Sequence, residues 1–365
     1  MKTSKIRILH FIYALKGGGA EKQLKYLLNT MDPDRFVNAV CCGNSEETDD
    51  LATGVEIFEI PRKFRFDLRW RQIFKCIKSW RPDIIHNWLP NGLWPSLIPS
   101  WFSGIPCYVA SYRNYYKINR LQDAIEAVGF CLSNRIVSNS GAMGFPYKNI
   151  FALKKGVVIP NGVDLAHIGC LKSFDISRLG IDNQKPVILY AGRLVEHKNI
   201  QVLLNAVSLL KDEGIAITLL LCGTGNYSNN LQQISHKLGI KNQVLFAGYR
   251  DDVVRIMKSC DMLVLPSFYE GMPNVIFEAM AAGIPVIASD IKAHNKWITH
   301  KKTGLLFCPN DHQDLVDNIK QILNEPETTK EKCLAAARSI VNKLSLTKMA
   351  ETYDFFYNDC LKTAH

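Results

Sequence analysis

Short apolar runs alternate with longer stretches in which apolar residues recur every three or four positions, and the alternation occurs twice along the chain. Such a pattern predicts βα units that feed parallel sheets. In the first half it places strands at Ile6 to Ile12, Val37 to Cys42, Asp83 to His86, Cys107 to Ser111 and Arg135 to Ser138, with helices such as Glu21 to Asn29 and Leu68 to Trp80 between them. In the second half the strands are Val187 to Ala191, Ala216 to Cys222, Val244 to Ala247, Met262 to Pro266 and Val286 to Ser289. A seam falls near Val157 to Asp164, where an apolar strand runs into an Asn-Gly turn and a polar stretch follows up to Pro186. We therefore expect one domain over 1–160, a second over 161–345, and an aromatic-rich helical segment, 346–365, that packs back onto the first domain. Parallel sheets of this kind bind ligands outside the carboxyl ends of their strands, so residues just after strands are the first candidates for chemistry.

The length of 365 residues suits two domains, each with its own core, and rules out a small stapled module. With 47% hydrophobic and 21% charged residues the chain matches neither a disordered protein nor a membrane-embedded bundle. Charge is uneven. Arg62, Lys63, Arg65, Arg69, Arg71, Lys75, Lys78 and Arg81, set against Asp67, account for most of the net charge of +10. One local patch does not make a diffuse nucleic-acid surface, and no nucleic-acid partner is expected. The 11 cysteines include no C-x-x-C pair and no neighbouring His at metal-ligand spacing, which reads as free thiols in a reducing cytosol. The apolar start, Ile6 to Leu15, is interrupted by His10 and reads as a first buried strand, not a leader. The uncharged stretch Asn87 to Tyr112 carries Pro90, Pro95, Pro99 and Pro106 and is not expected to span a membrane.

Three post-strand segments stand out. Gly17, Gly18 and Gly19 lead into a helix, where backbone N–H groups without a Cβ in the way could meet a phosphate or sugar oxygen, although the same glycines also suit a tight turn with no ligand. The run is neither a Walker loop nor a dinucleotide fingerprint. After the first strand of the second half comes Gly192-Arg193-Leu194-Val195-Glu196-His197-Lys198, whose two cations suit a leaving group that gains negative charge; alone, they would read as a solvated basic loop. The third segment runs from Pro266 through Glu270, Gly271, Met272, Pro273 and Asn274 to Glu278 and Gly283. Pro273 suits a first helical position, and Glu278 lies more than one turn inside an apolar helix, where a carboxylate needs a reason.

Taken together these motifs resemble family 4 of the glycosyltransferases, the retaining group with the GT-B fold. The resemblance rests on E-x₇-E at Glu270 to Glu278, G-R-L-x₃-K at Gly192 to Lys198, N-G-V-D at Asn161 to Asp164, and the N-terminal glycines, and it covers almost the whole chain. It implies an α/β architecture of two facing Rossmann-like domains with parallel sheets and an interdomain cleft. It further implies that Arg193 and Lys198 hold the donor's diphosphate, Glu270 contacts hydroxyls of the donor sugar, and Glu278 binds the ribose. Gly18 and Gly19 would approach the sugar-phosphate, while the loops of Gly223 and Gly225 and of Gly248 and Arg250 border the base. Gly271, Met272, Pro273 and Asn274 complete the donor side. The implied reaction is front-face transfer with retention from a nucleotide-diphosphate donor, with UDP as the expected nucleotide, no metal and no cofactor. Asp32-Pro33-Asp34 accordingly reads as a turn, not a cation site.

Two departures from the family pattern matter. Arg113, in Ser111-Tyr112-Arg113-Asn114, stands where many members have a His near the sugar, so Arg113, Asn114 and the nearby His86 are candidates for the sugar or acceptor side, with a structural role an open alternative for His86. Ile291-Lys292-Ala293-His294-Asn295-Lys296 replaces the usual Gly-rich turn and Glu, and nothing in the sequence accounts for Lys296. In the basic segment, Ile73, Phe74, Ile77 and Trp80 fall at helical spacing toward a sheet. That leaves the cations with Phe64, Phe66 and Trp70 outside, either as a solvated face or as a docking site, over 62–81, on the anionic inner face of the cell membrane. There a lipid-linked acceptor for envelope polysaccharide such as capsule or lipopolysaccharide would be met. A nucleotide-sugar epimerase of the same architecture and a catalytically silent nucleotide-sugar binder are the competing expectations.

Overall fold

The apolar runs become strands buried on both faces, as parallel sheets covered by helices require. The computed structural model describes residues 5–15, 17–45, 50–61, 69–113, 120–141, 147–154, 156–324 and 326–362. The chain divides into two compact units, 1–162 with 346–365, and 163–345; the divide lies two residues beyond the expected 160. The first unit runs β1 (Ile6–Phe11), α1 (Gly19–Thr30), β2 (Phe36–Cys42), β3 (Glu56–Glu59), α2 (Trp70–Trp80), β4 (Ile84–Asn87), α3 (Leu93–Ser103), β5 (Cys107–Tyr112), α4 (Arg120–Leu132), β6 (Arg135–Ser138), α5 (Tyr147–Leu153) and β7 (Val157–Val158). The second runs α6 (Leu165–Cys170), β8 (Val187–Ala191), α7 (Ile200–Asp212), β9 (Thr218–Cys222), α8 (Ser228–Lys237), β10 (Val244–Gly248), α9 (Val253–Met257) and β11 (Met262–Leu265). It continues with α10 (Asn274–Ala282), β12 (Val286–Ser289), α11 (Lys292–Asn295), β13 (Leu305–Phe307), α12 (His312–Asn324) and α13 (Pro326–Asn342), before α14 (Leu346–Lys362) returns to the first unit.

Both sheets are parallel, in the orders β3-β2-β1-β4-β5-β6-β7 and β10-β9-β8-β11-β12-β13, so each repeats the doubly wound order that reverses direction beside its first strand. The strands β3 and β13 were not legible in the apolar pattern. The first is a half-exposed edge and the second is three residues long.

Helix α3 was also not expected, because Pro99 sits inside it. Proline removes a backbone donor there, and serine hydroxyls turn inward on the same stretch. Ser96 donates to the Gly92 carbonyl at 2.7 Å and Ser103 to that of Pro99 at 2.7 Å. The Asp32 carboxylate, for its part, accepts from the backbone N–H of Asp34 at 2.9 Å, forming the turn expected of Asp-Pro-Asp.

In the first unit one core lies between the sheet and α1 with α14, the other between the sheet and α2, α3, α4 and α5. Tyr353, Phe356 and Tyr357 of α14 are buried, each such ring contributing roughly 1.5–3 kcal/mol. The Asn161-Gly162-Val163-Asp164 motif is structural throughout. Gly162 exchanges two hydrogen bonds with the Gln23 amide, at 2.7 and 2.9 Å, and a Cβ on Gly162 would meet Leu346 at 2.8 Å. Val163 donates to the Leu344 carbonyl at 2.7 Å, and Asp164 caps α6 by accepting from the His167 N–H at 3.0 Å.

Beneath α14 lies a polar cluster. Trp88 Nε1 donates to His10 Nδ1 at 3.0 Å, and the other His10 nitrogen donates to the Asn38 carbonyl oxygen at 3.1 Å. His86 is bracketed by Tyr357 Oη and Ser111 Oγ, each at 2.7 Å. Burial pushes the His10 imidazole down to about 4, the Asn38 bond opposing it only in part. Burial, with His10 and the Arg113 guanidinium nearby, pushes His86 well down too.

In the second unit the loops after β8 and β9 meet backbone to backbone. A Cβ on Gly223 would lie 1.9 Å from the Gly192 carbonyl oxygen, and one on Gly225 2.1 Å from that of Leu194.

Two outcomes follow from this packing. Because the unfolded chain takes up protons at His10 below its ordinary 6.5 while the folded chain refuses them until about 4, stability falls as pH drops through that window, by about 2 kcal/mol at pH 5 from His10 alone. Urea unfolding at pH 7 and pH 5 measures the loss, and His10→Gln should reduce it by about that amount, leaving the part due to His86; equal stability at the two pH values would refute a neutral buried His10. Gly225→Ala should lower the thermal midpoint, at a cost of about 1–3 kcal/mol, since a carbonyl rather than a flexible side chain stands in the way.

Candidate functional site

The loop after β8 is held in place from three sides. Tyr190, on the strand itself, donates its hydroxyl to the Arg193 carbonyl at 2.9 Å. The Leu194 N–H donates to Thr224 O at 2.8 Å, and the Tyr227 N–H returns to Leu194 O at 3.0 Å. A short turn, Glu196–Lys198, then ends at Asn199, whose φ of 52° is left-handed and whose side chain is anchored on the Pro309 carbonyl at 2.7 Å. This places the Arg193 and Lys198 side chains at the carboxyl end of β8, with Arg193 exposed and the Lys198 side chain 14% exposed.

The loop after β11 lies against it. Phe268 N–H donates to His197 O at 3.0 Å, and the His197 and Tyr269 rings stack 4.6 Å apart. Lys198 Nζ donates to Glu270 Oε1 at 2.5 Å, and Ser267 Oγ donates to the same oxygen at 2.7 Å. Burial alone would raise the Glu270 carboxyl, but the Lys198 charge and hydrogen bond, with Ser267 and His294 behind them, outweigh it and hold the group below its ordinary range. The carboxylate is therefore ionised, and the ammonium is fixed in position.

Sequence reasoning passed over the residues that hold this pair. Ser289 Oγ donates to the Ser267 carbonyl at 2.5 Å, and the His294 ring, wholly buried, has Nδ1 at 2.8 Å from the Ser289 carbonyl. A carbonyl can only accept, so Nδ1 carries the proton and Nε2 is the bare nitrogen, without a hydrogen-bond partner among the described residues. Burial pushes the His294 imidazole down, over the opposing pull of Glu270. The only signal for His294 in the sequence was that the turn after β12 lacks its usual glycines. Lys296 now has a place: its ammonium lies 5.2 Å over the Trp297 ring, which meets Phe277 edge-on at 5.0 Å, and partial burial lowers its pKa.

The remaining donor-side candidates fall into two groups. Gly223 and Gly248 meet where the Gly223 N–H donates to Gly248 O at 2.6 Å, and Gly225 abuts Leu194, so the structure brings these loops to the carboxyl ends of β8, β9 and β10. Gly271 is half-buried, Met272 and Pro273 are buried, and Asn274 opens α10 with Pro273 in the cap position instead of inside the helix. Glu278 is half-buried on α10, more than one turn in. Arg250 lies on the loop after β10, its guanidinium paired with both oxygens of Asp252 at 2.8 and 2.6 Å. In the first unit Gly18 caps α1, with the Glu21 carboxylate of the first turn 1.9 Å from where a Gly18 Cβ would be, while Gly19 is exposed.

His86 and Arg113 are interior: His86 is fully buried with each ring nitrogen engaged, the structural alternative left open for it, and Arg113, 4% exposed, donates to Asn161 Oδ1 at 3.1 Å and Tyr353 Oη at 2.7 Å while its guanidinium covers the Trp88 ring at 3.9 Å. They tie β4, β5 and α14 together. Asn114 lies outside the described residues.

The comparisons with known proteins bear on the family and the fold. The family model described as Glycosyltransferase Family 4 matches residues 17–167, and that described as Glycosyl transferases group 1 matches 172–339. The chain is 23% identical to the UDP-Gal:alpha-D-GlcNAc-diphosphoundecaprenol alpha-1,3-galactosyltransferase of Escherichia coli, over 98% of this chain and 97% of that one. It is 24% identical to the lipopolysaccharide core biosynthesis glycosyltransferase LpsE of Rhizobium meliloti, over 95% and 98%. Among solved structures, Anabaena HepE in complex with UDP and glucose superposes with a TM-score of 0.82 at 20% identity, covering 97% of this chain and 100% of that one. Because the two family models together span nearly all of both units, and each unit has the sheet order the family's fold requires, the chain belongs to the family 4 glycosyltransferases and has the GT-B fold.

Proposed function

We propose that the chain is a retaining, metal-independent glycosyltransferase that moves a hexose from a UDP-sugar to a lipid-linked saccharide during assembly of a bacterial envelope polysaccharide. The observation that carries the reading is the Lys198 ammonium, clamped by an ionised Glu270 at the carboxyl end of β8 with Arg193 on the same loop. When the bond between the sugar and the diphosphate breaks, negative charge grows on the departing phosphate. Fixed cations stabilise that charge most in the transition state, without reorganising as it forms. With the leaving group so stabilised, its own oxygen can take the acceptor hydroxyl's proton on the face where the new bond forms, and no protein carboxylate is required as base. Glu270 then has two roles: it orients Lys198 and offers its second oxygen to hydroxyls of the sugar.

UDP and the acceptor class are supported by the relatives. HepE was solved with UDP and glucose, and the Escherichia coli relative is named for UDP-Gal and a diphosphoundecaprenol-linked acceptor. Among the described residues no helix is long and apolar enough to cross a membrane, so a lipid-linked acceptor would be met from the membrane's surface.

Incubation with a panel of nucleotide sugars, read by product mass, separates the readings. Slow hydrolysis of one UDP-sugar is expected, with turnover unchanged by EDTA; interconversion of sugars would point to an epimerase, and binding without turnover to a silent binder. Lys198→Ala should cut turnover by about 10²-fold or more, the scale of one lost transition-state contact. The same substitution leaves Glu270 buried without its cation, so its carboxyl should rise above the ordinary range and the acid limb of the pH–kcat/KM profile should move to higher pH than in the wild type. A mild loss with an unmoved limb would dismiss the proposed role of the pair.

A further inference from the structure

Three neighbouring helices of the first unit present an outer surface unlike the rest of it. Helix α3 holds no charged residue, and its exposed face is Ile98, Trp101 and Phe102, spaced three and four apart and 42%, 52% and 75% exposed. Helix α4 packs on α3 where Gly129 meets Leu93 and Trp94. Its outward stripe is Leu121, Ile125, Val128 and Leu132, from 38% to 73% exposed, with Gln122, Ala124 and Cys131 also exposed, while its acidic residues Asp123 and Glu126 are half-buried. An ordinary surface helix turns polar residues outward. This one turns apolar residues outward and also packs Ala127 and Phe130 inward. Exposed apolar side chains are common singly, but a run of them across two adjacent helices marks an interaction surface.

The third helix supplies the charge. On α2, which packs along α3, the exposed positions Arg71, Lys75 and Lys78 share one face, and Lys78 Nζ reaches the Ser103 carbonyl at the end of α3 at 3.4 Å. Arg69 does not belong with them, being buried, and Arg62, Lys63, Arg65, Phe64 and Phe66 lie outside the described residues. Helix α2 holds no acidic residue. Cations beside an apolar ridge with two aromatic rings complement a leaflet that offers anionic headgroups above an apolar interior. A second protein chain would more often pair the cations with carboxylates and cover the ridge with its own apolar groups.

We infer that the outer faces of α3 and α4 insert shallowly into an anionic bilayer, with Trp101, Phe102, Leu121 and Ile125 as the inserted residues and Arg71, Lys75 and Lys78 as the headgroup contacts. The expected basic segment thus supplies only the electrostatic half of the surface. As a means of reaching a lipid-linked acceptor the inference rests on the proposed function; the binding itself does not.

The full chain is floated with vesicles of phosphatidylcholine, with and without phosphatidylglycerol. Binding to the anionic vesicles is expected, and Trp101→Ser with Phe102→Ser should weaken it about tenfold or more at any salt concentration. Leu121→Gln with Ile125→Gln should do likewise, whereas Arg71→Glu with Lys75→Glu and Lys78→Glu should remove the preference for phosphatidylglycerol. Brominated lipid should quench tryptophan emission in the wild type and less so in Trp101→Phe, a readout that needs no loss of binding. Thermal unfolding and donor hydrolysis should be unchanged in the α3 and α4 variants, so failure of vesicle binding and failure of the glycosyltransferase reading are seen separately. Absence of wild-type binding, binding indifferent to the Trp101 and Phe102 changes, or sedimentation showing self-association through these residues in its place would each overturn the inference.

Discussion

The candidate site depends on how closely two backbones can approach. The loops after β8 and β9 are in contact through the Gly192 and Leu194 carbonyls on one side and Gly223 and Gly225 on the other, at separations no Cβ would permit. That contact, with the Tyr190 hydroxyl on the Arg193 carbonyl, fixes the path of the chain from 192 to 199 before any side chain is considered. Lys198 then emerges at one place, and the loop after β11, docked through Phe268 and the stack of His197 on Tyr269, brings Glu270 to it. A long, flexible lysine is usually costly to hold in one geometry. Here the backbone pays that entropy in advance, and the ammonium is held by a carboxylate that Ser267 also fixes.

The first unit solves a different problem. Arg113 is buried with neutral partners: an amide, a phenol and an indole face. Removing a guanidinium from water is costly, and hydrogen bonds to neutral groups and a cation–π contact offset it only partly. The offset is made where it also joins elements distant in sequence, β5, the Asn161 turn and α14. The same cluster forces His10 and His86 to remain neutral. A polar interior of this kind makes the docking of the last helix specific, since only one register of α14 presents Tyr353 to Arg113 and Tyr357 to His86.

How much of this was legible follows from the signals each element leaves. Strands buried on both faces announce themselves as apolar runs, and the glycines and paired carboxylates of the second unit announce themselves by spacing. Edge strand β3, half-exposed, and β13, three residues long, leave too short a pattern. Helix α3 was hidden by Pro99, and the bonding of Ser96 and Ser103 to the Gly92 and Pro99 carbonyls is a property of coordinates, not of composition. Position after a strand carries no information about depth for Arg113 and His86, which sit near strand ends and face the interior beneath α14, a helix from the far end of the chain. Arg69 counted as a surface cation until the fold buried it. His294 left almost no trace, because its importance lies in the carbonyl it touches rather than in its neighbours along the chain.

The charge balance of the second unit bears on why Glu270 should stand beside the cation proposed to meet the phosphate. Paired with Lys198 it cancels one positive charge, leaving Arg193 as the exposed cation of the loop, so a diphosphate would be under-compensated by side chains alone. The balance would then come from the dipole at the start of α10, which carries partial positive charge without needing a counter-ion. In the proposed reaction that division is useful. That dipole and Arg193 would bind the ground state, while Lys198, held in place by Glu270 throughout, would interact most strongly with the departing phosphate as charge accumulates there. A carboxylate that weakens ground-state binding of the diphosphate therefore leaves more of the cation's stabilisation for the transition state.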